Sequence, residues 1–221
     1  MGYEVTATER KDVFLNDGDY LPDANDKIKE TTGAGFVAVN LPIRNVELYA
    51  GLRYEHTSSD YYQNGLYVKG QSRKYGRLFP NVDFTFPIGK AKFTLSYEAK
   101  TKRPLYSQLS SSIQYDDCFT YETGNPLLTS EQIHNVSLAG IYKWVFFSAT
   151  YTYDKDAIIS VIRPYKPDAP QNIMTYDNFN HLSKYDIVVS LSPRISRWSP
   201  RLRLNLSGQH FSMETKNGIK N

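Results

Sequence analysis

The sequence predicts an all-β chain, in which antiparallel, up-and-down strands, about eight of them, form part of a larger transmembrane β-barrel. Three observations carry that prediction. Apolar and polar residues alternate with period two along several stretches, which is the signature of strands and not of helices. The connectors between these stretches run short, long, short, long, as in an outer-membrane barrel with tight periplasmic turns and longer external loops. No apolar run approaches the roughly 18 to 20 residues a transmembrane helix needs.

Residues 1–31 read as a loop or the end of a preceding strand, 32–213 as the barrel segment, and 214–221 as a truncated loop. Within the barrel segment, 33–41 alternates imperfectly. The clearest strand is 46–56, where Val46, Leu48, Ala50, Leu52 and Tyr54 oppose Glu47, Tyr49, Gly51, Arg53 and Glu55. A weaker stretch, 78–86, puts Asp83 on its polar side. In 92–101, Phe93, Leu95, Tyr97 and Ala99 oppose Lys92, Thr94, Ser96, Glu98 and Lys100. Val136, Leu138, Gly140 and Tyr142 mark the next strand, and Val145, Phe147, Ala149, Tyr151 and Tyr153 the one after it. Tyr185, Ile187, Val189 and Leu191 form another face, and Leu202, Leu204 and Leu206 the last. This pattern predicts that Leu48, Leu52, Phe93, Leu95, Leu138, Phe147, Val189 and Leu204 face lipid. It predicts that Glu47, Arg53, Glu55, Asp83, Glu98 and Lys100 face a hydrated lumen.

The short connectors are 42–45, 87–91, 143–144 and 193–200, supplied with Pro, Gly, Asn and Ser for turn conformations. The long ones are 57–77, 102–131 and about 162–182, polar and rich in Tyr, Asp, Asn and Ser. Phe86, Tyr142, Trp144 and Trp198 sit near the short turns, and Tyr54, Tyr151, Tyr153 and Tyr185 toward the long loops. Two interfacial girdles would be placed in this way.

Composition removes several function classes. The net charge of +3 is small and unclustered, which argues against a nucleic-acid partner. A single cysteine, Cys118, leaves no disulfide framework. The histidines His56, His134, His181 and His210 share no ligand spacing, so neither a metal nor a cofactor is expected, and each reads as a surface or lumen residue. No phosphate loop, nucleophile elbow or Cys-His pair appears. The most ligand-like cluster is Tyr115, Asp116, Asp117, Phe119, Tyr121 and Glu122, whose carboxylates and aromatic faces suit sugars, peptides or chelated metals; its plain alternative is a solvated loop. Residues 1–11 lack the apolar core of a secretory signal, which predicts that residue 1 is not the natural start.

Several motifs occur in a familiar order: Phe93-Thr94-Leu95-Ser96-Tyr97, then Lys102-Arg103-Pro104 and Tyr106, then Gly124-Asn125-Pro126, Leu128 and Glu131. With Gly51-Leu52-Arg53-Tyr54-Glu55 and Leu78-Phe79-Pro80-Asn81-Val82 upstream and Asp154-Lys155-Asp156-Ala157-Ile158 downstream, the stretch resembles the carboxy-terminal barrel region of TonB-dependent outer-membrane receptors, in the outer membrane protein β-barrel family. Pro104 suits the end of a ladder because it has no N–H to donate, and Gly124-Asn125-Pro126 suits a tight re-entry. The resemblance implies outer-membrane lipid, a small nutrient ligand, an energy-coupling inner-membrane complex, and a plug domain inside a barrel of about 22 strands. The plug and the remaining strands are not found in these residues, and eight strands without them could not perform energised uptake. The reading is transport, not catalysis. Two alternatives stand beside it: a self-contained eight-stranded barrel, in which 33–41 would pair with 202–211, and a soluble carbohydrate-binding β-sandwich.

Overall fold

The structure is a computed structural model and describes residues 1–15, 23–166 and 170–211. The expected terminal loop at 214–221 lies outside the described residues. A single sheet of 12 strands contains the wall of the molecule. Nine strands make that wall: β1 (Gly2–Phe14), β2 (Ala24–Ile43), β3 (Val46–Gln63), β5 (Arg73–Ile88), β6 (Ala91–Lys102), β9 (Glu131–Tyr142), β10 (Val145–Pro164), β11 (Asn172–Leu191) and β12 (Leu202–Phe211). Each pairs antiparallel with its neighbour in that order. The remaining three, β4 (Leu66–Tyr67), β7 (Ile113–Asp117) and β8 (Thr120–Thr123), are short and belong to the connectors.

About eight strands were expected and the sheet has twelve. The eight periodic stretches correspond to β2, β3, β5, β6, β9, β10, β11 and β12. In β1 the alternation of Tyr3, Val5 and Ala7 with Glu4, Thr6 and Thr8 covers only six residues before the charged run 9–12, too short a signal to mark the whole strand. The long connectors are also shorter than expected, since β3 continues to Gln63, β5 begins at Arg73, β10 reaches Pro164 and β11 begins at Asn172. In these extensions apolar and polar residues no longer alternate, as in Ile173-Met174 of β11. Hydrogen bonding continues up the ladder while the hydropathy pattern stops.

The register aligns the apolar residues of all these strands on one face. Val37 pairs with Leu52, Leu41 with Leu48, Leu48 with Phe84, and Phe84 with Leu95. Leu95 pairs with Leu138, Leu138 with Ala149, Phe147 with Val189, and Val189 with Leu204. All eight residues expected to face lipid therefore share this face. On β3 the apolar stretch runs from Val46 to Tyr54, about 26 Å along the strand at roughly 3.3 Å per residue. A tilt of about 40° leaves a band of roughly 20 Å, close to the roughly 25 Å apolar height of such barrels once the bordering rings are added. Many of these side chains stay exposed, with Leu95 at 44 % and Leu204 at 58 %.

Three of the four turns below the band are two residues long, 44–45, 89–90 and 143–144, and the fourth, 192–201, has ten. The first residues of the three short ones, Arg44, Gly89 and Lys143, have φ of 56°, 60° and 52°, the left-handed backbone that lets a two-residue hairpin follow the strand twist. At the other end, Asn64 and Gly65 have φ of 50° and 79°, as the Asn-Gly type I′ hairpin requires.

β2 pairs with β1 and β3, and β12 with β11, so the sheet does not close through a β2–β12 pairing. The eight-stranded closed barrel is therefore not the structure. A sandwich of two sheets is not present among the described residues either, because all their strands belong to one sheet.

Candidate functional site

The polar face carries the site. Glu47, Arg53, Glu55, Asp83, Glu98 and Lys100 all lie on it by register: Arg53 is opposite Phe79, Asp83 opposite Ser96 and Glu98 opposite Asn135. The segment 103–130 between β6 and β9 folds back across this face as a strap. It contains one helical turn, α1 (Tyr106–Leu109), and the β7–β8 hairpin.

Arg103 fastens the strap where it leaves the wall. Its Nη1 donates to Glu30 Oε1 at 3.0 Å and its Nη2 to Glu55 Oε2 at 3.1 Å. Glu55 also accepts from Arg53 Nε at 2.7 Å, and Arg53 Nη2 reaches Glu4 Oε2 at 3.2 Å. Four strands or connectors are thus tied by alternating charges. A guanidinium suits that role because its planar fork can hold two carboxylates at once. Pro104 follows immediately, where the backbone leaves the ladder.

Two further anchors hold the strap. Asp26 of β2, only 3 % exposed, accepts from the Ser111 backbone N–H at 2.6 Å and from Ser111 Oγ at 3.0 Å. Gly124-Asn125-Pro126 makes the third anchor. A Cβ on Gly124 would stand 2.5 to 2.7 Å from the carbonyl oxygens of Ser107, Gln108 and Ser110, so only glycine permits this approach. Asn125 donates its backbone N–H to Gln108 O at 2.6 Å and its side-chain amide to Tyr176 O at 2.8 Å, while its Oδ1 accepts from Leu127 N at 2.9 Å. Asn178 completes the seat, bonding Thr129 in both directions at 2.7 and 3.0 Å. Glu131, 4 % exposed at the foot of β9, accepts from Lys102 Nζ at 3.2 Å and from Ile158 N at 2.8 Å.

Below the strap, Phe36, Tyr49, Arg53, Phe79, Glu98 and Lys100 line an open concavity of about 630 Å³. It combines aromatic faces with both signs of charge, a lining suited to a polar ligand or to a protein surface.

The cluster expected to bind ligand forms the β7–β8 hairpin, and the structure brings only part of it together. Tyr115 meets Tyr121 edge-on at 6.3 Å, and Tyr121 meets Tyr165 at 4.8 Å; Tyr165 had no sequence signal. Asp117 is occupied locally, accepting from Phe119 N at 2.7 Å. Asp116 and Asp117 are exposed, as is Phe119 at 60 %, while Glu122 is half-buried. β8 runs parallel to the start of β11, with Tyr121 opposite Ile173. Cys118 is exposed at the hairpin tip.

The girdle residues within strands, Phe86, Tyr142, Tyr54, Tyr151, Tyr153 and Tyr185, lie on the apolar face by register, while Trp144 and Trp198 sit in the connectors. Phe84, Phe86 and Phe93 touch one another near the short turns, at 5.1 and 6.0 Å. At the opposite border a row of rings crosses four strands: Tyr97 with His134 at 6.3 Å, His134 with Tyr153 at 6.4 Å, and Tyr153 with His181 at 5.8 Å. Tyr97 Oη and His134 Nδ1 are 3.0 Å apart. His134 and His181 extend an aromatic row on the apolar face, a placement that the lone spacing of histidines could not reveal.

The sequence profile of the Outer membrane protein beta-barrel family matches residues 4–221. The chain belongs to that family. It is accordingly a segment of an outer-membrane barrel in a Gram-negative bacterium. In structure it is similar to the siderophore receptor PirA from Pseudomonas aeruginosa, with a TM-score of 0.54 and 12 % identity over 95 % of this chain and 47 % of the receptor. It is also similar to the FrpB iron transporter from Neisseria meningitidis, with a TM-score of 0.52 and 15 % identity over 91 % of this chain and 28 % of the transporter. At these identities the likeness is one of fold. The chain spans about half the length of the receptor and less of the transporter. No curated protein matches it in sequence.

Proposed function

We propose that the chain is the wall and one strapped loop of a TonB-dependent outer-membrane receptor that takes up a nutrient with energy relayed from the inner membrane. The apolar face meets lipid and the polar face lines the lumen. The observation that carries the reading is the strap pinned across the polar face by Arg103, Asp26 and Gly124-Asn125-Pro126. A wall with a charged, ligand-sized inner concavity and an ordered loop above it suits selective entry better than a passive pore. The unpaired outer edges of β1 and β12 are expected to meet the remaining barrel strands, since bare edges in lipid are very costly.

A plug inside the lumen and an inner-membrane energy complex are part of this proposal. Its ligand class is a glycan, a peptide or a metal chelate, and the reading assigns no catalysis. Among the three, the chelate is favoured by the likeness to a siderophore receptor and an iron transporter. Cells lacking the intact receptor are compared with the parent for accumulation of labelled chelates, peptides and oligosaccharides, with and without a protonophore. Loss of one class in both the mutant and the protonophore-treated parent is expected. Uptake that depends on the receptor but survives collapse of the proton gradient would remove the energy coupling.

A further inference from the structure

We infer that a shallow dent on the lipid-side face of β1, β2 and β3, above the apolar band, binds the phosphorylated sugars of the glycolipid that forms the outer leaflet. Lys11, Lys27 and Lys29 take the phosphates and Tyr62 a sugar face. The inference rests on the lipid-facing assignment of the apolar face. It needs neither a plug nor energy coupling.

The dent holds about 350 Å³ and is lined by Lys11 of β1, Asn25, Lys27 and Lys29 of β2, Tyr62 of β3, and Gly65, within the range of roughly 300 to 1,000 Å³ typical of ligand sites. Register puts its strand residues on the same side as the apolar band. Lys11 is opposite Lys27 and Lys27 opposite Tyr62, while Val37, an even number of residues along β2, is opposite Leu52. The alternate residues Asp26 and Ile28 are buried on the other side, toward the strap. The strap therefore leaves the dent open.

Height narrows the choice of occupant. Ile43 borders the 44–45 turn, and Lys29 lies 14 residues before it (43 − 29). At roughly 3.3 Å per residue and a tilt of about 40°, Lys29 stands roughly 35 Å above the turn, about 10 Å beyond a band of roughly 25 Å. Lys27 is about 5 Å higher still. The polar layer of a phospholipid leaflet is only about 5 to 7 Å deep. The dent thus opens at the level of sugar headgroups, above phospholipid phosphates.

Charge completes the argument. Three ammonium groups and no carboxylate line the dent. Glu9, beside it, contacts Lys27 and Lys29, and Asp60 is opposite Lys29, so these two cations are partly matched. Lys11 forms no ion pair among the described residues. Lys29 Nζ lies 5.9 Å from the centroid of the Tyr62 ring, and Tyr67 meets that ring edge-on at 5.6 Å. A ring set among ammonium groups suits a sugar that carries phosphate, since lysine binds phosphate as a point charge.

The test is native mass spectrometry of the intact receptor, freed of lipid in detergent micelles and titrated with rough-type lipopolysaccharide. The same lipid dephosphorylated with hydrofluoric acid, and phosphatidylglycerol, are the comparison probes. The phosphorylated lipid should bind about tenfold or more tighter than either. Lys11→Gln, which breaks no ion pair, should weaken it about fivefold. Glu9→Gln, which frees Lys27 and Lys29, should tighten it, a change that misfolding does not produce. The site is overturned by equal binding of the dephosphorylated lipid or of phosphatidylglycerol. It is equally overturned if Lys11→Gln and Glu9→Gln do not shift the affinity in opposite directions. Energised uptake with no lipopolysaccharide binding would count against this site alone. Binding without energised uptake would count against the transport proposal alone.

Discussion

An arginine at position 95 should be far more damaging than one at position 96, because one residue turns the side chain from the apolar to the polar face. Leu95 lies five residues beyond the 89–90 turn, about 16 Å along the strand. With a tilt of about 40° that becomes roughly 12 Å, half the height of the roughly 25 Å band, so Leu95 stands at the bilayer midplane. A midplane arginine on a lipid face costs about 2 to 4 kcal/mol, falling to about 0 to 1 near the interface. Leu95→Arg should therefore lose about 3 kcal/mol, and Ile88→Arg, beside the turn on the same face, less than about 1. Ser96 is opposite Asp83 and Ser137 on the polar face, where a cation meets a carboxylate, so Ser96→Arg should be close to neutral. The assay is urea-dependent folding of the intact receptor into phospholipid vesicles, followed by heat-modifiable gel mobility. Equal losses for Leu95→Arg and Ser96→Arg would refute the assignment of faces, and equal losses at 95 and 88 would refute the depth.

Arg103→Ala removes both carboxylate contacts of the strap and leaves Glu30 and Glu55 without that cation; a loss of about 1 to 3 kcal/mol in local stability is expected, read as faster protease cleavage within 105–127. Gly124→Ala pushes a methyl into three carbonyl oxygens and should cost about 1 to 3 kcal/mol by overpacking, whereas Gly33→Ala, with nothing within 4 Å of its Cβ, should be tolerated in the same cleavage assay. The raised pKa of Tyr61 makes strap stability pH-dependent. Its contribution is complete below the unfolded tyrosine value of about 10 and is lost as the pH rises above it, because the unfolded state then releases a proton that the folded state retains. Hydrogen exchange of the strap between pH 9 and 11 should show that fall in the parent and a shallower one in Tyr61→Phe.

The strands within the apolar band were legible because lipid on one side and water on the other impose period two on Leu48, Leu52, Leu95, Leu138 and Leu204. Where β3 and β11 extend beyond the band, that constraint ends and their residues read as loop. The Asn64-Gly65 dipeptide was the available signal that 57–77 is a hairpin and not an open loop. The site was less legible. Arg103 was visible as part of an Arg-Pro pair, but its partners Glu30 and Glu55 are brought to it only by strand pairing. The Tyr115 to Glu122 cluster was read as one site from its composition, whereas alternation along β7 and β8 splits its carboxylates from its rings.

The central claim is a wall with lipid on one face and a water-filled lumen on the other. Nitroxide labels placed singly at 145–153 of β10, in the intact receptor with Cys118→Ser and reconstituted in bilayers, test it through their accessibility to oxygen and to a polar nickel chelate. Labels at Phe147, Ala149 and Tyr151 should favour oxygen, and those at Phe146, Ser148 and Thr150 the chelate, with a period of two residues. Uniform accessibility along the strand, or oxygen preference at Ser148 and Thr150, would contradict the account.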